Sequence, residues 1–89
     1  MKTSLDPSLI YPGGKVVMDL DSEDSRVTTL RTTDDMEKVV KWYLQRLKVK
    51  NDVTMPGSRI INAEGVDLLI NSIGDGTTVT MTREKKGNR

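Results

Sequence analysis

One stretch limits the fold more than any other. Residues 34–47 (Asp34-Asp35-Met36-Glu37-Lys38-Val39-Val40-Lys41-Trp42-Tyr43-Leu44-Gln45-Arg46-Leu47) carry the clearest helical period in the chain. Met36, Val40, Tyr43 and Leu47 recur at helical spacing, and Val39 and Leu44 widen the stripe. Asp34 is placed to cap the helix, with Glu37 three residues on to complete a capping box. A lone amphipathic helix must bury its stripe on another element, and the flanking runs are strand-like. The expected class is therefore α+β.

Val16, Met18 and Leu20 alternate on one face of a strand at 15–20, and the polar run 21–25 turns the chain. Residues 26–32 return with β-branched Val27, Thr28 and Thr29. After the helix, 51–58 reads as a loop broken at Pro56-Gly57. Strands follow at 59–62, 66–71 and 77–83. Gly74-Asp75-Gly76 is read as a turn using positive-φ positions. Val79 and Met81 should face the core, and Thr78, Thr80 and Thr82 the solvent.

The order is then β-β-α-β-β-β, an antiparallel sheet with one helix packed on one face and a wet, Thr-rich face opposite. Residues 1–14 form an arm pinned by Ile10 and Tyr11, 15–83 a single domain and 84–89 a tail. With 89 residues the core is thin, because a domain of this size buries only about 60–65% of its unfolded surface.

Tyr11-Pro12-Gly13-Gly14-Lys15-Val16-Val17, the pattern Asp34-x-x-x-Lys38-Val39-Val40-x-x-Tyr43-x-x-x-Leu47, and the closing Val79-Thr80-Met81-Thr82-Arg83 together resemble a group of small bacterial domains. Those domains open with a Tyr-Pro-Gly-Ala element; Gly14 stands here in place of the Ala. The resemblance spans roughly residues 10–83. It implies the same hairpin–helix–sheet order and a place in the cell envelope, periplasmic where a targeting segment has been removed and otherwise cytoplasmic. It implies no catalytic residue.

Chemistry is restricted by what is missing. Without Cys there are no disulfides, thiolates or Cys-ligated metals, and without His no imidazole base or ligand. No cofactor or metal site is expected. Asp19, Asp21, Glu23 and Asp24 begin like a calcium loop, but the sixth position lacks Gly and the twelfth is Leu30, so a solvated turn is the reading. Gly74-Asp75-Gly76-Thr77-Thr78 lacks the Lys and following helix of a phosphate loop.

Net charge is +1, with residues 1–45 at −2 and 46–89 at +3. Arg46, Lys48, Lys50 and Arg59, joined by Arg83, Lys85 and Lys86, make the one basic cluster, but Phe is absent and stacking aromatics are few. That argues against nucleic acid. Trp42 either wraps the core edge or anchors a partner. The expectation is a noncatalytic domain that binds protein or itself, with Trp42, Arg46, Lys50 and Arg59 as candidate contacts. Pairing along 26–32 or 59–62 is the expected mode of self-association. A small-ligand or nucleic-acid module on the basic side is the alternative, and an enzyme the remotest one.

Overall fold

The strand runs join into one six-stranded antiparallel sheet with a single helix across one face, in a computed structural model that describes residues 10–84. The elements are β1 (Lys15–Asp21), β2 (Ser25–Thr32), α1 (Met36–Arg46), β3 (Val49–Met55), β4 (Ser58–Ala63), β5 (Val66–Ile73) and β6 (Gly76–Glu84). Across the sheet they run β1-β2-β6-β5-β4-β3. Residues 1–9 of the arm and 85–89 of the tail, with Lys85 and Lys86, lie outside the described residues. No helix among the described residues is long and apolar enough to cross a membrane.

The mixed α+β class and the single helix are as expected, but the order β-β-α-β-β-β is one strand short. Residues expected as a loop form β3, and Pro56-Gly57 is the two-residue turn of a hairpin in which Met55 pairs with Ser58. Gly57 sits at φ +73°, where a side chain would be strained. Both faces of β3 are solvated, so no alternation marks it in the sequence.

The first hairpin loop is also tighter than read, closing over residues 22–24 with Ser22 N–H donating to the Ser25 carbonyl at 2.9 Å. At 74–76 neither Gly nor Asp has positive φ. Gly76 is needed for space instead: a Cβ there would stand 2.1 Å from the Thr32 carbonyl oxygen.

The helix stripe buries as its period requires. Val39, Val40 and Tyr43 are enclosed, with Met36, Leu44 and Leu47 packed at the margin. They meet Leu30, Ile61, Leu68, Ile70, Val79 and Met81, all inaccessible to solvent. Thr28, Thr32 and Thr77 are buried on this face too. Each is satisfied: Thr28 Oγ1 donates to Asp19 at 3.1 Å, Thr77 Oγ1 donates to the Asp34 carbonyl at 2.8 Å, and Thr32 Oγ1 accepts from Asp34 N–H at 3.2 Å.

The N-cap is Asp35, not Asp34; its carboxylate accepts from Lys38 N–H at 3.0 Å. Asp34 is drawn away by the Tyr11 hydroxyl, which donates to its carboxylate. Tyr11 is only 5% exposed and opens a turn in which Gly14 N–H donates to its carbonyl at 2.8 Å. Pro12 supplies the fixed φ of that turn and Gly13, at φ +86°, the left-handed position. The arm is thus pinned by Ile10 and Tyr11, as expected.

Two further expectations are corrected by topology. A bulge at Val17 splits the apolar alternation of β1, leaving Val16 on the helix side and Met18 and Leu20 on the other, all exposed. The stretches 26–32 and 59–62 are not edges, because β6 pairs with β2 and β5 pairs with β4. The edges are β1 and β3.

Candidate functional site

Three surfaces gather the residues that chemistry singles out. The first is the aromatic flank of α1. Tyr11 meets Trp42 edge-on with ring centres 5.5 Å apart, and Trp42 meets Tyr43 edge-on at 4.8 Å. Arg46 lays its guanidinium 4.2 Å from the Trp42 ring centre. Trp42 is therefore half-buried and wraps the core edge; such edge contacts are worth about 0.5–1.5 kcal/mol each.

Burial, then the Asp34 carboxylate, pushes the Tyr11 phenol up to about 12, and burial also raises Tyr43. Both phenols keep their protons at neutral pH.

The second surface is an open groove of about 650 Å³ on the other flank of α1, floored by Val40 and Leu44. Lys38, Lys41 and Arg59 line it together with Asp35 and Glu37, so its charges are mixed. Arg59 is committed within the sheet: it grips Asp52 with two bonds of 2.7 and 2.9 Å. That pairing outweighs the opposing effect of burial and lowers the pKa of Asp52.

A matching clamp holds the opposite edge. Arg26 Nε donates to Asp19 at 2.9 Å and a second guanidinium nitrogen completes the fork, which pulls the Asp19 pKa down. Asp21 lies 3.7 Å from the same guanidinium, so two of the four acidic residues, Asp19 and Asp21, are engaged within the hairpin. Among the described residues no three acidic groups are close enough to share a metal ion.

The four residues proposed from sequence do not form one site. Trp42 and Arg46 stack on one flank of the helix, and Arg59 lies in the groove on the other. Lys50 lines a separate recess with Ala63, Gly65 and Asp67. Arg83 falls on the helix side of β6, directly across from Arg26, with a buried Nη1 that has no hydrogen-bond partner among the described residues.

The third surface was missed in the sequence. The face away from the helix carries a row that crosses every strand: Met18, Thr29, Thr80, Leu69, Ile60 and Val53, paired neighbour to neighbour. Four of the six are large and apolar, and Leu69 is 38% and Met18 45% exposed. Leu20 and Val27 extend the row at the β1 end, and Met55 at the β3 end. Thr29 of β2 and Thr80 of β6 interrupt it, so the face is only partly the wet surface expected.

Its signal in the sequence is the second parity of each strand. Val66-Asp67-Leu68-Leu69-Ile70 is apolar at both parities, as a strand covered on two sides would be. No family model, no curated protein and no solved structure matches the chain.

Proposed function

We propose that the chain is a noncatalytic protein-binding domain and that it binds through the helix-free face of its sheet. The observation that carries this reading is the row from Met18 to Val53, apolar on β1, β5, β4 and β3 and broken only by Thr29 on β2 and Thr80 on β6. Apolar side chains aligned across a sheet favour burial at about 25 cal/mol per Å² removed from water. Contiguous exposed patches of this kind mark interaction surfaces more than scattered ones do.

The edges are poorer candidates for pairing. Each has a bulge, at Val17 and near Lys50, and each is faced with charge: Lys15, Asp19 and Asp21 on β1, Lys50 and Asp52 on β3. Such features discourage strand addition. The setting implied by the resemblance, an accessory module of the cell envelope, suits a binding domain.

A photo-crosslinking residue placed at Leu69 and, as a control, at Lys41 tests the reading in cells expressing the chain. Crosslinking to protein at position 69 and little at position 41 is the expected result. No protein adduct at 69, or equal labelling at both positions, rejects the helix-free face as the binding surface.

A further inference from the structure

The charges bordering this face are arranged so that the face complements itself, and we infer that its partner is a second copy of the chain. This inference rests on the reading above that the face binds protein. Lys15 and Arg31 pair across β1 and β2 and project from the helix-free side in the row above the apolar one. Asp67 on β5 lies in the row below it, and Glu84 at the end of β6 one row lower still.

Thr80 sits at the middle of this pattern. Arg31 is one strand to one side of it and one row up; Asp67 is one strand to the other side and one row down. A two-fold axis lying in the interface, through Thr80 and at right angles to the line from Arg31 to Asp67, sets Arg31 of each copy over Asp67 of the other. The same rotation, using ordinary strand spacing and rise, brings Lys15 near Glu84 of the second copy and leaves Leu20 close to the axis. A symmetric interface requires such reciprocity, in which one residue meets another and the second meets the first. A different partner protein would not require it. The strands of the two copies then cross steeply, in the orthogonal class of sheet packing.

Size sets the strength. Five strand spacings and three rows of side chains give a face of about 24 by 20 Å, roughly 500 Å² per copy as a flat footprint. Two copies reach about 1,000 Å², the lower limit for a specific interface. The dimer is accordingly a weak one, and its ion pairs are exposed enough to be salt-sensitive.

Within one chain Arg31 and Asp67 are about 17 Å apart by strand spacing and rise, too far to pair. Arg31 also lies 3.4 Å from Asp75 of its own chain, so recovery in the doubly reversed chain, rather than either single reversal, reads contact between copies. Sedimentation of the full chain over a wide concentration range should give a monomer–dimer equilibrium. Dissociation should become at least tenfold easier in Arg31→Glu, in Asp67→Arg and in Leu69→Lys. The doubly reversed Arg31→Glu/Asp67→Arg chain should recover most of the loss. Thermal unfolding followed by circular dichroism accompanies each variant, and the double reversal keeps the test valid if a single change weakens folding.

A monomer at all concentrations, or a dimer indifferent to Leu69→Lys, overturns the inference, as does failure of the double reversal to restore association. A monomer that still crosslinks another protein at position 69 overturns only the second copy and leaves the binding face standing. Absence of any adduct removes both.

Discussion

Tyr11 shows how one side chain joins a segment outside the sheet to the core. Its ring covers Trp42, its hydroxyl donates to Asp34, and its backbone hydrogen-bonds the phenol of Tyr43. An unfolded tyrosine ionises near pH 10, whereas Tyr11 in the fold holds its proton to about 12. A pKa raised by folding contributes stability that is complete below about pH 10 and is lost as the pH climbs towards 12. Tyr43 is shifted in the same direction and adds to that loss. Urea unfolding of Tyr11→Phe should show a shallower fall between about pH 10 and 12 than the parent chain, and lower stability at pH 7 by about 1–2 kcal/mol for the lost bond to a carboxylate. Equal slopes in the two proteins would mean that Tyr11 titrates normally. The pinning of the arm was legible, because Tyr11 is an apolar ring just before Pro-Gly. Its bond to Asp34 was not, since the adjacent aspartates differ only in which one the distant phenol reaches.

The helix and β3 sit at opposite ends of what a period can reveal. Burial of one continuous stripe leaves a repeating mark, so α1 was readable almost to its ends. An edge strand solvated on both faces leaves none, and β3 passed for a loop although its hydrogen bonds to β4 are regular beyond the bulge. The start of α1 was misplaced by one residue for a related reason: Asp34 satisfies the sequence rule for a cap but is used elsewhere. Replacing Asp35 by Ala should therefore cost about 1 kcal/mol and accelerate amide exchange at Lys38, whose N–H it receives. Asp34→Ala should leave that amide protected while weakening the hold on Tyr11. If the two substitutions affect Lys38 alike, the cap is shared and the assignment to Asp35 fails.

Strand order was beyond a one-dimensional reading, because β2 and β6 lie at opposite ends of the chain's sheet-forming stretch yet pair along their whole length. The helix makes this possible by carrying the chain from β2 over the sheet to the far edge, so that three hairpins return towards β2. A gradient of stability follows from that path. The centre, β5 and β6, is sealed beneath α1, whereas β1 and β3 bury no residue and are held by one ladder and one Asp–Arg fork each. Amide exchange should therefore be slowest in β5 and β6, intermediate in β2 and β4 and fastest in β1 and β3. The forks act locally on this gradient. A partly exposed ion pair is worth up to about 1 kcal/mol, so Asp52→Asn should speed exchange in β3 by up to about fivefold and leave β1 unchanged. Uniform exchange across the sheet, or equal acceleration at both edges, would mean that the edges open only when the whole domain unfolds. Independent fraying would instead place the rigid platform at the centre of the sheet, beneath Leu69 and Thr80, where the proposed two-fold contact needs it most.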